Sequence, residues 1–173
     1  MIKYVFNSTN YLEFYPLSCC LKRLFNGNFP VFVCFGSDLS VGDSLGPKIG
    51  YNLLNNLNGK CFIYGTLNAT VTAKEADVVY SNIKRLHPKS QIIAIDAAVG
   101  NKSDIGLIKV FDDGIKPGLG VNKDLNKLGD VSIIAIIGEK EEFNKNILDG
   151  VSVSFIENLT NVISKGIIES LNL

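Results

Sequence analysis

Three short stretches of the chain are apolar almost without a break: residues 30–36 (PVFVCFG), 91–95 (QIIAI) and 131–137 (VSIIAII). A strand with apolar side chains on both faces must be covered on both. That is the situation of a central parallel strand sandwiched between helices. The residues between these runs have the matching helical spacing. Leu17, Cys20, Leu21 and Leu24 predict a helix that Asn26-Gly27-Asn28 stops. Ile49, Leu53, Leu54 and Leu57 predict a second, with Pro47 in its first turn, where a missing N–H costs little. Ala76, Val79, Tyr80, Ile83 and Leu86 mark a third, closed by His87-Pro88. Phe155, Leu159, Val162, Ile163 and Ile167 mark the last, with Ser154 and Glu157 spaced as a capping box. Residues 60–65 and 105–111 read as two further strands, and 114–130 as a long glycine-rich loop without periodicity, a type that is usually functional or mobile. The alternation predicts an α/β fold: a three-layer domain around a central, mostly parallel twisted sheet. One domain is expected over 1–173, with residues 1–28 as an N-terminal helical extension and 151–173 as a C-terminal helix.

A chain of 173 residues can bury roughly 70% of its unfolded surface. It needs no covalent staple. Seventeen basic and seventeen acidic residues cancel, and no stripe of Lys and Arg argues for nucleic acid. No apolar run approaches the ~20 residues of a membrane span, and the start lacks the pattern of a signal peptide, so a cytoplasmic protein is expected. The cysteines at 19, 20, 34 and 61 have no CxxC spacing and read as buried reduced thiols.

Two aspartates carry the candidate chemistry: Asp43 in FVCFGSDLSVGDSLGP and Asp96 in QIIAIDAAVG, each following an apolar run. In an open parallel sheet the carboxyl ends of neighbouring strands face one crevice, where carboxylates distant in sequence converge. Such a pair can activate water and protonate a leaving nitrogen. The rival chemistries fail on composition. Gly42-Asp43-Ser44-Leu45-Gly46 matches G-x-S-x-G, but a serine triad needs a histidine base, and the sole histidine, His87, ends a helix. Glycines 36, 42 and 46 lack G-x-G-x-x-G spacing and no GK[ST] occurs, which removes the phosphate cradles. Cys34 lies in the middle of a strand, away from any base. Structural roles compete for the aspartates as well: Asp43 as the N-cap of the helix that follows, Asp38 as a turn residue, Asp96 as an acceptor of loop amides.

The segments FGSDLSVGDSLGP, YGTLNATV, IIAIDAAVG and GIKPGLGVNKDLNKLGDVSIIAIIG, in this order between Pro30 and Gly138, resemble the YyaC-type sporulation proteins of spore-forming bacteria, a group described as spore proteases. That group is similar to the germination protease, which degrades small acid-soluble spore proteins, and to the hydrogenase maturation proteases. The resemblance implies a phosphorylase/hydrolase-like domain with its site at the strand carboxyl ends. Asp43-Ser44-Leu45-Gly46-Pro47 matches the D-x-L-G-P segment and Ala94-Ile95-Asp96-Ala97 the A-I-D-A segment that hold the germination protease's catalytic aspartates. Residues 116–121 resemble its P-G-x-G-V loop. Asp43 and Asp96 are therefore the expected catalytic residues, and Asp38, Lys116 and Gly118 the expected substrate-binding ones. Hydrogenase maturation proteases carry G-N-x-L-x-x-D-E-G-x-G, in which Asp43 takes the place of a metal-binding glutamate, and they use a later histidine. No histidine follows His87, so nickel would have two hard oxygen ligands and no imidazole, a poor set. What is expected is a spore-associated endopeptidase without metal or other cofactor, acting on a protein or peptide such as small acid-soluble spore proteins. The alternatives are a binding protein on a peptidase fold and a metal-dependent maturation-type peptidase.

Overall fold

Six strands make one sheet in the computed structural model, which describes residues 2–26, 29–57, 59–117, 127–140 and 150–172. They are β1 (Ile2–Asn7), β2 (Val31–Cys34), β3 (Phe62–Tyr64), β4 (Ile92–Gly100), β5 (Leu107–Phe111) and β6 (Val131–Glu139), in the spatial order β1-β5-β6-β4-β2-β3. β2 runs parallel to β3 and β4, and β4 parallel to β6. Only β5 is reversed, antiparallel to β1 and β6. The helices are α1 (Phe14–Leu24), α2 (Leu45–Asn56), α3 (Ala76–Leu86) and α4 (Val153–Asn172). The mixed α/β architecture with a mostly parallel sheet is the one the apolar runs predict.

Those runs are apolar because alternate residues serve different cores. Along β2, Phe32 and Cys34 join a large cluster with Leu17 and Leu21 of α1, Ile49 of α2 and Ile163 of α4, all buried. Val31 and Val33 join a smaller cluster with Ile83 of α3, Ala94, and Ile115 and Leu128 of the long loop. One face of the sheet is thus covered by three helices, and the other by α3 and loop segments.

Four sequence readings need correction. Residues 1–28 are not purely helical: β1 pairs with β5 from Ile2↔Phe111 to Asn7↔Leu107 and forms an edge of the main sheet. β4 does not end at Ile95 but runs to Gly100, because β6 is equally long and pairs with it as far as Gly100↔Glu139. The cap of α4 is Ser152, whose Oγ accepts the Phe155 N–H at 3.2 Å, two residues before the expected Ser154. Leu54 and Leu86, counted into apolar faces, are exposed. Among the described residues no helix is long and apolar enough to cross a membrane.

Candidate active site

The chain leaves β2 toward β3 on one side, and β4 lies on the other side of β2. The carboxyl ends of β2 and β4 therefore flank a topological switch point, the place where open α/β sheets form a crevice. Asp43 lies on the loop that leaves the end of β2 there, and Asp96 lies on β4 one residue past its last pair with β2.

The β2 side is built by glycines. The Phe35 N–H still bonds Ile95 O at 2.8 Å, and the next residue, Gly36, turns the chain with φ +140° while its N–H bonds Val71 O at 3.0 Å. A Cβ on Gly36 would stand 2.1 Å from Asp43 O, and one on Gly46 would stand 2.0 Å from Phe35 O. Only glycine at both positions lets the loop 37–43 close on the strand end. That closure brings Asp43 to Ser37 through two bonds: Ser37 N–H to Asp43 O at 3.1 Å, and Ser37 Oγ–H to Asp43 Oδ2 at 2.5 Å. The second has the short length of a hydroxyl donating to a carboxylate.

Asp43 lies in a 3₁₀ turn, Gly42–Ser44, ahead of α2. It is not an N-cap, the structural role that competes with the catalytic one in the sequence. Backbone dihedrals are already helical at Val41 (φ −60°, ψ −47°), Ser44 precedes the α-helix without a capping bond, and the Asp43 carboxylate is committed to Ser37. Ser44 is buried, and its hydroxyl donates to Val41 O at 2.7 Å, so it is no nucleophile at an elbow.

Asp96 sits one residue beyond the last β2–β4 pair, Cys34↔Ile95, and opposite Ile134 of β6. It is half-buried, and its Oδ1 accepts the Ala97 N–H at 2.9 Å. Strand alternation directs it to the side of Ala94 and Ile134, the face covered by α3 and the long loop. It is therefore inside a strand rather than after one. Yet it marks where β2 stops and β4 has only β6 beside it.

The long loop is tied at its base. Ile115 and Leu128 form an antiparallel bridge, Ser132 Oγ–H bonds Asp113 O at 2.8 Å, and Lys127 pairs with the Asp113 carboxylate. The Lys127 ammonium, aided by the Gly114 N–H, holds the Asp113 carboxyl below the usual carboxylate range. Lys116, next to the bridge, is exposed; Gly118 lies outside the described residues. Asp38 is exposed on the loop after Ser37, beside Leu39, which is 88% exposed. Ser37 is the participant that motif reading missed. Its signal is its place immediately after the glycine that ends the β2 run.

The remaining candidates lie outside this chemistry. His87 Nε2 bonds the Tyr64 hydroxyl at 2.8 Å and its ring packs on Phe62 at 4.0 Å, a structural role before β4 begins. Burial pushes the Cys34 thiol far up and Cys61 up to about 11, which suppresses thiolate chemistry. No disulfide joins the four cysteines; Cys20 and Cys34 are buried, but Cys19 and Cys61 are only half-buried. Among the described residues no three His, Cys, Asp or Glu side chains group as a metal site. The donors at the crevice, carboxylates and a serine hydroxyl, do not suit nickel.

The sequence and the structure each have relatives. The chain is 34% identical over 137 residues to uncharacterized protein YyaC of Bacillus subtilis (strain 168), covering 79% of this chain and 67% of that protein. Its structure is similar to the crystal structure of the NiFe hydrogenase maturation protease HycI from Thermococcus kodakarensis KOD1, with a TM-score of 0.50 over 86% of this chain and 98% of that one. At 17% identity this likeness shows the fold, which is that of a hydrogenase maturation protease. The family model described as "Protein of unknown function (DUF1256)" matches residues 5–166, nearly the whole chain. On that match, and on the identity to YyaC, the chain belongs to the DUF1256 family.

Proposed function

We propose that the chain is a spore-associated endopeptidase in which Asp43 and Asp96 hydrolyse a protein or peptide without a metal. The observation that carries the proposal is the Ser37–Asp43 hydrogen bond at the switch point. A carboxylate fixed by a dedicated hydroxyl, on a loop that two glycines press against the strand end, is oriented before substrate arrives. The protease fold and the motif resemblance to the germination protease agree with it.

Asp43, whose Oδ2 accepts from Ser37, acts as the base: it takes a proton from water as the water oxygen attacks the scissile carbonyl. Asp96 acts as the acid: when the tetrahedral intermediate collapses and the C–N bond breaks, it gives a proton to the leaving nitrogen. Transfer of a proton from Asp43 to Asp96 through water restores the starting state. This chemistry requires the two carboxyl groups to meet in one crevice, one supplying the base and the other the acid. Asp38 and Lys116, exposed on flanking loops, and Gly118 contact the substrate chain.

The test is proteolysis of small acid-soluble spore proteins by the wild type and by Asp43→Asn and Asp96→Asn. Each variant is expected to lose about 10²–10⁴-fold in kcat. If all three behave alike, the assignment fails.

A further inference from the structure

A groove of about 370 Å³ opens between the outer edge of β3, the loop 66–71 and α3. β3 is the last strand of the sheet and pairs only with β2 among the described residues. The Phe62 N–H donates inward to Pro30 O at 3.0 Å. With a period of two, the N–H and C=O of Ile63 then point outward. Ile63 lines the groove although its side chain packs with the large core on the opposite face, so what it offers the groove is backbone. The edge is short, three residues, but Phe-Ile-Tyr contains no charge and no proline, and Phe62 is 41% exposed. Tyr64, Thr70, Val79 and Asn82, which also line the groove, are uncharged.

One lining residue of the groove, Val71, touches the strand end that leads to the candidate site. Val71, at its end, bridges Phe35 and accepts the Gly36 N–H, and Gly36 precedes the serine that holds Asp43. A chain lying along β3 would therefore end beside the carboxyl end of β2.

We propose that the substrate is bound as an extended, uncharged peptide segment that adds as a further strand to β3, hydrogen-bonded to the Ile63 backbone, with a side chain in the groove. This deepens the peptidase reading and rests on it for the identity of the occupant. Backbone bonds supply affinity in such strand addition, and the groove selects alternate side chains.

The experiment is titration of the ¹⁵N-labelled 173-residue chain with the peptide Ac-Ala-Val-Thr-Ala-Val-Ala-NH2, followed by amide NMR. A saturable shift of the Ile63 amide is expected. Ile63→Pro removes the outward N–H together with the packing of the isoleucine side chain on the large core, and an edge tolerates proline at that position, so in the folded variant it is expected to weaken binding about tenfold. Asn82→Tyr, which fills the groove from the exposed face of α3, is expected to do the same without touching the sheet. Absence of a saturable shift at Ile63, or unchanged affinity in both edge variants, overturns the proposal. So does an Ile63 shift that follows protein concentration without peptide, since a second copy then covers the edge. If Ile63 titrates while Asp43→Asn still cuts spore proteins, the catalytic reading falls and the edge site stands. If cutting needs Asp43 while both edge variants bind and cut normally, the edge site falls alone.

Discussion

The two faces of the sheet are built from the same apolar strands but for different ends. On one face α1, α2 and α4 bury Leu17, Leu21, Ile49, Ile133 and Ile163 completely. On the other, α3 and the base of the long loop cover a smaller cluster around Val33, Ile83 and Leu128, and leave an open groove beside β3. Asp96 projects to this second face. A chain that concentrates its packing on one side frees the other to remain accessible at the strand ends. The difference separates what holds the fold from what the fold presents.

Truncations on the two faces test that separation. Ile133→Ala opens a cavity between β6 and the three helices, where neighbours cannot collapse, and is expected to cost about 4 kcal/mol. Ile83→Ala opens onto the groove, where relaxation is easier, and is expected to cost about 2 kcal/mol. Chemical denaturation of both variants checks this, and equal losses would erase the contrast. An effect of similar size comes from the close approach that seats the Asp43 loop. In Gly46→Ala the new methyl meets the Phe35 backbone carbonyl, so α2 must retreat at an expected cost of about 1–3 kcal/mol. Because the Ser37–Asp43 bond depends on that seating, proteolytic activity is expected to fall further than stability alone explains. Activity preserved in a folded Gly46→Ala protein would show that the closure is structural only.

The smallest effect lies at the exposed loop base. The folded-state pKa of Asp113 is lowered by Lys127, so the pair's contribution is present above the unfolded carboxylate pKa and is lost as pH falls through the folded value. Lys127→Ala is expected to lower the thermal midpoint slightly near pH 7, and to leave it unchanged in acid below the folded carboxyl's pKa or in about 1 M salt. A difference that survives acid would assign the loss to packing rather than charge.

The parallel strands were legible because residues serving two cores leave a run with no polar face, as in β2. β1 was not, because an edge strand with Val5 and Tyr4 exposed lacks that signature. The extension of β4 past Asp96 was hidden for another reason: its small half-buried residues follow the register of β6, a partner far away in sequence. The aspartates could be named from motif and position. Their surroundings could not. That Asp43 bonds Ser37 instead of capping α2 depends on the approach of Gly36 and Gly46 to backbone carbonyls, which no local pattern encodes.

The central claim is that Asp43 and Asp96 act as one unit, and a double-variant cycle on proteolysis addresses it directly. Single-turnover cleavage of small acid-soluble spore proteins is measured for the wild type, Asp43→Asn, Asp96→Asn and the variant carrying both. Groups that work together in one step are non-additive, so each single variant is expected to be nearly as impaired as the double. Losses that multiply independently, or an active Asp96→Asn protein, would contradict the account.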